Sequence, residues 1–280
     1  MPIKILTKLL ANRVQPVILS RVSKNQYGFI KTRNIQECLA WSFEYIHMCH
    51  KSKKEIIIFK IDFVKAFDKV SYNAILFMMK HLRFSDKWIR WVNMILTSAT
   101  TSVNLNGVPG KNIHCKCGVR QGDPFSPLLY VMVGELLQIM VNEAWREGIL
   151  KLPIDTNNTE SYPIIQYADD TLIILLADVD QIRIFTDILE KFSAFTGLIV
   201  NYSKSSIVPI NISDERAQDL ANIFNCKREA MPFTYLGLPM GSTRPKVIDL
   251  MPMVSRLDTR LSGIASMMTY SGRLTHLKAI

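Results

Sequence analysis

The sequence predicts an α/β fold, on three observations. Two apolar runs rich in Ile and Leu, "EIIIFKID" at 55–62 and "IIQYADDTLIILL" at 164–176, have the length and composition of buried strands. Segments with apolar residues at helical spacing lie around and between these runs. The chain has 280 residues, of which 48% are hydrophobic, so it is long enough for one large core or two smaller ones. Strands alternating with helices are the pattern of an α/β protein.

The elements on either side of the first strand are predicted to be helices. Residues 35–46 carry apolar side chains at helical spacing, with Asn34 and Glu37 placed as an N-cap and its reciprocal partner. Asp62 lies at the end of the strand. The segment 66–82 behind it predicts one continuous helix.

The middle of the chain predicts a helix, a hairpin and a long helix in that order. Residues 86–96 have helical periodicity, and residues 101–117 alternate around Asn106 and Gly107, a dipeptide typical of hairpin turns. Pro124 is placed in the first turn of the next helix, where proline is favoured because its missing N–H has no partner to lose.

The charge balance points to a polyanionic partner. Lys and Arg number 34 against 24 Asp and Glu, a formal net charge of +10. Nucleic acid is the leading candidate, and a membrane surface is the competitor. No run approaches the roughly 18 apolar residues of a spanning helix, and the N-terminus lacks the apolar core of a signal peptide. We therefore expect an intracellular protein, nuclear or cytoplasmic and not secreted, with no membrane partner.

The five cysteines are an odd number at irregular spacing, which favours reduced thiols over a disulfide framework. His114, Cys115 and Cys117 resemble part of a zinc site. A tetrahedral site needs further ligands, and the sequence has no second cluster with suitable spacing. We expect no structural zinc.

The adjacent carboxylates Asp169 and Asp170 lie at the predicted hairpin tip between two apolar runs. Neighbouring strand residues face opposite ways, so both side chains converge only if the backbone turns between them. Two close carboxylates repel each other unless a cation such as Mg²⁺ holds both ionised. The alternative is that both are ordinary turn residues. Asp62 also ends a buried strand, and sites assemble at strand ends in α/β folds, which favours the metal site.

Five motifs in order resemble one family. "FKIDFVKAFDKV", "GVRQGDPFSPLLY", "YADD", "FTGLIVNYSKS" and "YLGLPMG" are similar to the motifs of the reverse transcriptases of LINE-class, non-LTR retrotransposons. The resemblance covers nearly the whole chain. It implies a right-hand polymerase fold with an α+β palm, partial fingers and the start of a thumb.

The resemblance implies a catalytic set built on two metal ions. Asp62, Asp169 and Asp170 match the carboxylates that hold two Mg²⁺ ions, for which Mn²⁺ is a substitute. The backbone carbonyl of Phe63 matches a position beside the second ion. Lys204 matches a lysine placed to protonate the leaving pyrophosphate.

The resemblance also implies nucleotide-binding residues. Phe67 matches the aromatic residue whose ring would collide with a 2′-hydroxyl and so select deoxynucleotides. Gln121 and Gly122 match positions near the template base and the incoming nucleotide. Arg33 matches an arginine near template or nucleotide phosphates, although Thr32 stands where the family usually has Gly.

Primer-binding residues are implied at two places. Tyr167 and Ala168 lead into the catalytic turn, close to the primer end. Tyr235, Leu236 and Gly237 belong to the segment that matches the primer grip, a short hairpin that presses on the primer strand.

The domain organisation implied by the resemblance has three parts. Residues 1–54 are partial fingers, 55–230 are the palm with inserted fingers elements, and 231–280 are the primer-grip hairpin and the start of the thumb. The chain enters almost directly at a fingers helix and stops within the thumb region. It is therefore expected to be an excised or decayed portion of a larger element protein.

The expected activity is RNA-directed DNA synthesis, with an RNA template, a DNA primer and deoxynucleoside triphosphates as partners. One alternative is a truncated remnant that binds nucleic acid without polymerising. A protein of the group II intron maturase type has the same catalytic residues. An RNA-dependent RNA polymerase shares the palm, but Phe67 argues against it because such an enzyme must admit a 2′-hydroxyl.

Overall fold

Helices and strands alternate along the chain, as the apolar periodicity predicts. In the part of the chain that the structure describes, the helices are α1 (Pro2–Ile18), α2 (Ile35–Lys51), α3 (Ala66–Lys69), α4 (Tyr72–His81), α5 (Asp86–Thr97), α6 (Ser126–Arg146), α7 (Val179–Thr196), α8 (Asp214–Ile223) and α9 (Val247–Ala265). The strands are β1 (Ile56–Ile61), β2 (Thr100–Thr101), β3 (Asn104–Leu105), β4 (Val108–Pro109), β5 (Ile113–His114), β6 (Ile164–Tyr167), β7 (Asp170–Leu176), β8 (Ser206–Ile210), β9 (Lys227–Arg228), β10 (Phe233–Tyr235) and β11 (Leu238–Met240).

The computed structural model describes residues 2–155, 160–243 and 246–265, together with 269, 271 and 272. It divides into two compact units, residues 1–229 and residues 230–280. The first unit holds the main sheet, and the second holds the β10–β11 hairpin and α9. None of the helices described is long and apolar enough to cross a membrane.

The main sheet has five strands in the order β6-β7-β1-β8-β9. The central strand β1 pairs antiparallel with both neighbours, β7 and β8. Ile56, Ile57 and Ile58 are fully buried, because a central strand covered on both faces has no exposed side. The Phe59 ring stacks on Phe224 with centroids 4.3 Å apart. This core makes β1 a rigid support for Asp62, the residue that follows the strand.

Three predicted elements are confirmed. α2 begins after Asn34, whose backbone N–H donates to Glu37 Oε2 at 3.5 Å. Asn106 and Gly107 have φ of 51° and 85° and connect β3 to β4, so they form the predicted hairpin turn. Residues 86–96 lie within α5.

The segment 66–82 was predicted to be one helix, and this is wrong. Ser71 separates α3 from α4: its Oγ accepts a hydrogen bond from the Ala74 N–H at 3.4 Å and caps the second helix. The Ser71 N–H donates to the Thr196 carbonyl at 2.8 Å, and the Val70 carbonyl accepts from the Gly118 N–H at 2.8 Å. Distant segments therefore take the backbone groups that a continuous helix would have used.

The predicted start of α6 at Pro124 is also wrong. The helix begins at Ser126, and Pro127 occupies the early position that favours proline. The Asp123 carboxylate accepts from the Phe125 N–H at 2.8 Å, which supports a turn before the helix rather than its first turn.

We expect Gly197→Ala to destabilise the first unit strongly. Gly197 ends α7 with a φ of 77°, and a Cβ there would overlap the Lys69 carbonyl oxygen. Gly148 has a φ of 74° with no atom within 4 Å of an added Cβ, so it is the matched control. Gly148→Ala should cost about 1 kcal/mol from its backbone conformation alone. Gly197→Ala should cost roughly 3 kcal/mol or more, because the clash adds to that penalty.

Urea denaturation of both variants measures the difference. Equal losses of free energy of unfolding would show that the contact between Gly197 and Lys69 does not constrain the fold.

Candidate active site

Three carboxylates lie at the strand ends on one side of the main sheet, after β1 and at the turn between β6 and β7. Ile61, the last residue of β1, is paired with Thr171 of β7, so the register continued by one position sets Asp62 opposite Asp170. Asp170 is paired with Tyr167 across the β6–β7 hairpin. Asp169 occupies the turn of that hairpin, directly before Asp170.

The electrostatics of Asp170 show that the three carboxylates interact. Partial burial raises the pKa of Asp170, the negative charge of Asp169 raises it further, and Asp62 adds to the effect. Lys60 lowers the pKa of Asp170 and so offsets part of the repulsion. A hard cation would remove the remaining repulsion, and oxygen ligands suit Mg²⁺.

The carboxylates are nevertheless not a closed metal cage. Among the residues that the structure describes, no three His, Cys, Asp or Glu side chains are grouped so that they would hold a metal ion as they stand. The donor chemistry nevertheless fits a divalent metal ion, because carboxylate oxygens are ligands that Mg²⁺ prefers.

The backbone around Asp62 is held by the loop that precedes β8. The Asp62 N–H donates to Ser205 Oγ at 3.1 Å, and its carbonyl accepts from the Asn201 N–H at 2.8 Å. The buried Phe63 ring packs near Phe192, with centroids 6.1 Å apart. The Phe63 carbonyl is not one of the groups in the backbone hydrogen bonds described between this segment and the loop. Lys204 is exposed in the same loop. The loop therefore brings Lys204 to the neighbourhood of Asp62.

Phe67 lies on α3 and packs against a buried tyrosine. Its ring stacks on Tyr130 of α6, with centroids 4.9 Å apart and planes at 9°. Phe29 approaches Phe67 edge-on, with centroids 6.2 Å apart. Burial raises the pKa of Tyr130, and the negative charges of Asp169 and Asp170 raise it further. Tyr130 therefore supports the Phe67 ring and lies within the electrostatic influence of Asp169 and Asp170.

Gln121 and Gly122 lie in the loop before α6. Gln121 Nε2 donates to Asp68 Oδ1 at 3.2 Å, and the Phe67 carbonyl accepts from the Val119 N–H at 2.7 Å. Gly122 has a φ of 72° with open space around it, so glycine serves the backbone conformation there. The loop is thus attached to α3 beside Phe67.

The guanidinium of Arg33 is surrounded by backbone carbonyls. It donates to the carbonyls of Ser23 and Gln26, to that of Val22 at 3.2 Å and to that of Leu19 at 3.4 Å. Burial lowers the pKa of Arg33. In this arrangement Arg33 organises the segment after α1, and its contact with a phosphate stays a prediction.

A buried acid near Arg33 makes stability depend on pH. Burial raises the pKa of Glu135 to about 7, against its ordinary value of 4.5, although the Ser23 N–H donates to its Oε2 at 3.0 Å and Arg33 is near. Between these two values the folded protein keeps a proton that the unfolded chain has lost. The free energy of unfolding therefore falls as pH rises through that range, by about 3 kcal/mol from this group.

Glu135→Gln should remove this part of the pH dependence and leave the protein more stable than wild type at pH 8. Urea denaturation at pH 5 and pH 8 measures it, with Glu147→Gln, an exposed substitution directly after the same helix, as the control. A wild-type slope in Glu135→Gln would contradict the assignment.

The predicted primer-binding residues fall into both units. Tyr167 is half-buried, and Ala168 is buried with a φ of 58°. In the second unit Tyr235 is buried, while Leu236 and Gly237, with φ of 47° and 84°, form the turn between β10 and β11. A role for either group in primer binding stays a prediction.

The structure adds residues to this site that the sequence-based prediction missed. Lys60 lies two positions before Asp62 on β1, so strand alternation was a signal that both side chains share a face. Ser205, Tyr130 and Gln26 reach the site from distant parts of the chain. No local pattern marks such residues, because their partners are decided by packing.

Comparisons with known proteins show the family of this chain. Residues 1–240 match the family described as reverse transcriptase (RNA-dependent DNA polymerase). A Pol polyprotein of the type-1 retrotransposable element R2 from Popillia japonica is 26% identical over 213 residues, which are 75% of this chain and 28% of that protein. An uncharacterized 149 kDa protein of transposon TX1 from Xenopus laevis is 23% identical over 205 residues, covering 72% of this chain and 15% of that protein.

A solved structure has a similar fold. Telomerase from Candida albicans, in complex with a fragment of telomeric RNA, matches with a TM-score of 0.55 and 13% identity, over 86% of this chain and 36% of that chain. This likeness confirms the predicted right-hand polymerase fold.

The similarity to R2 and TX1 confirms the predicted resemblance to non-LTR retrotransposons. The chain spans less than a third of the length of the two retroelement proteins compared.

Proposed function

Because this chain belongs to the reverse transcriptase family of RNA-dependent DNA polymerases, we propose that it extends a DNA primer on an RNA template with deoxynucleoside triphosphates. The observation that carries the proposal is the convergence of Asp62 with Asp169 and Asp170 at one edge of the sheet. Such a set suits phosphoryl transfer, in which catalysis consists mainly of positioning and of neutralising charge.

Reverse transcriptases use divalent metal ions. In this chain Asp62, Asp169, Asp170 and the Phe63 carbonyl are the groups that would hold two Mg²⁺ ions, or Mn²⁺ in their place. When bound, the ions would lower the pKa of the primer 3′-hydroxyl and neutralise the pyrophosphate. The raised pKa of Asp170 supports this proposal, since a site that resists a second negative charge favours a cation.

The other residues select and orient the nucleotide. The Phe67 ring, supported from behind by Tyr130, excludes a 2′-hydroxyl by steric clash. Gln121 and Gly122 lie on the loop beside Phe67. In the proposed function they contact the template base and the incoming nucleotide. Lys204 gives a proton to the leaving pyrophosphate, and Arg33 contributes positive charge toward phosphates.

Binding of the template and primer rests on charge and on the hairpin segments. The net charge of +10 favours a polyanion. Tyr167 and Ala168 lie directly before the catalytic turn, next to the primer end. The hairpin that contains Tyr235, Leu236 and Gly237 binds the primer strand, with Leu236 and Gly237 of its turn making the contact.

Primer extension on poly(rA)/oligo(dT) with Mg²⁺ tests the function, with dTTP and UTP compared as substrates and Asp169→Asn as the control. Extension with dTTP that disappears in the control is the expected result. Extension with UTP at an equal rate would identify an RNA polymerase instead.

A protein that binds nucleic acid without polymerising is the second candidate. It is favoured by the net charge of +10, which attracts a polyanion whether or not the carboxylates are catalytic. Retention of poly(rA)/oligo(dT) without extension at any Mg²⁺ or Mn²⁺ concentration would favour this candidate.

A further inference from the structure

The catalytic turn contains a residue in a costly backbone conformation. Ala168 has a φ of 58°, in the left-handed region that costs an L-residue with a Cβ about 1 kcal/mol or more. Ala168 is also buried and directly precedes Asp169. Strain of this kind persists only where surrounding contacts hold it, and it is characteristic of functional sites. The contacts that hold Ala168 therefore decide where Asp169 points.

The side chain of Gln26 contacts this turn from a distant segment. Gln26 is fully buried, and its Oε1 accepts from the Gly28 N–H at 2.9 Å and from the Ala168 N–H at 3.3 Å. The two accepted bonds connect the segment after α1 to the turn across 142 positions of sequence. One acceptor atom thus holds both backbones.

The backbone of the same segment is pressed against the turn. The Tyr27 N–H donates to the Gln166 carbonyl at 2.7 Å, and the Gln166 N–H donates to the Asn25 carbonyl at 2.9 Å. A Cβ on Gly28 would overlap the backbone nitrogen of Ala168. The turn cannot shift toward this segment, so the segment limits its movement.

Among the residues that the structure describes, the donor end of Gln26 has no hydrogen-bond partner. Its Nε2 is buried without a hydrogen bond, and an unsatisfied buried donor costs roughly 1–3 kcal/mol. The side-chain hydrogen bonds that the described structure gives to Gln26 are therefore those that its Oε1 accepts, from Gly28 and Ala168.

We infer that Gln26 is a positioning residue for the catalytic turn, which aims Asp169 by holding the Ala168 N–H with Oε1. Arg33 holds the backbone of the same residue, since its guanidinium donates to the Gln26 carbonyl. The inference rests on the proposed function, because a positioning role is visible only where the carboxylates act in primer extension.

Gln26→Met and Gln166→Met form a matched pair of variants. Both replace a buried glutamine by a side chain of similar size, and each removes one buried unpaired atom, Gln26 Nε2 or Gln166 Oε1. The side chain of Gln166 donates to the Gly134 carbonyl at 3.3 Å and not to the turn. Only Gln26→Met therefore removes the acceptor of the Ala168 N–H.

We expect Gln26→Met to lower kcat for primer extension at least tenfold and to raise the Mg²⁺ concentration for half-maximal rate at least tenfold. Gln166→Met should stay within twofold of wild type on both measures, with a similar thermal midpoint. Equal effects of the two variants, or none from Gln26→Met in an active protein, would overturn the inference. An inactive wild type would instead refute the proposed function.

Hydrogen exchange provides a readout that depends neither on activity nor on a folded variant. In the unmodified protein without metal, the Ala168 amide should exchange at least tenfold more slowly than the Asp169 amide, because Gln26 Oε1 accepts from the former. Equal and fast exchange at both amides would show that Gln26 does not hold the turn and would overturn the inference even if Gln26→Met fails to fold.

Discussion

Asp169→Asn is expected to lower the rate of primer extension by at least a hundredfold, about 2.7 kcal/mol in the barrier. The substitution keeps the size of the side chain and removes the negative charge that a divalent ion requires. It also removes repulsion, because the Asp169 charge contributes to the raised pKa of Asp170. The thermal midpoint should therefore equal or exceed that of wild type. A variant that loses activity but not stability is expected when a residue serves function at a cost in stability.

Asp219→Asn is the control for this experiment, since Asp219 is exposed on α8. It should change neither rate nor midpoint. Asp62→Asn should behave like Asp169→Asn. If either active-site variant keeps more than a tenth of the wild-type rate, the metal-binding assignment is wrong.

Phe67→Val is expected to raise the ratio of ribonucleotide to deoxynucleotide incorporation at least tenfold, about 1.4 kcal/mol. The smaller side chain leaves room for a 2′-hydroxyl, and the selection is a clash rather than an attraction. Loss of the stacked contact with Tyr130 should also lower stability by about 1 kcal/mol. Primer extension with dTTP and UTP in separate reactions gives the ratio.

Phe77→Val is the matched control, because Phe77 is an exposed phenylalanine on α4. Its ratio should equal that of wild type. A ratio that does not move in an active Phe67→Val protein would show that Phe67 only packs α3 against α6.

The pattern of the sequence was enough to predict the elements that bear the carboxylates. β1 is a run of apolar residues, and the β6–β7 hairpin is two such runs around a short polar break, so both depend on period and turn chemistry within a few residues. Asp62 and Asp169 were found because they lie at the ends of these elements. The N-cap of α2 was predictable for the same reason, since Asn34 and Glu37 are three positions apart.

Helix boundaries that depend on distant partners were not predictable. The chain changes from α3 to α4 at Ser71 because the Thr196 carbonyl accepts the Ser71 N–H. No sequence pattern near Ser71 predicts that contact. The start of α6 at Ser126 instead of Pro124 has a local cause, since the Asp123 side chain accepts from the Phe125 N–H and supports a turn that the position of a proline alone does not predict.

The sequence by itself therefore predicted which residues are expected to supply the chemistry, and the tertiary structure decided what holds them in place. Hydrophobic period and turn residues act over a few positions, so they specify β1 and the Asp169 turn locally. The contacts of Gln26 with Ala168 and of Ser205 with Asp62 join residues more than a hundred positions apart. Such contacts form only when the whole core has packed, because a side chain finds a buried partner only after the backbones around it have been placed.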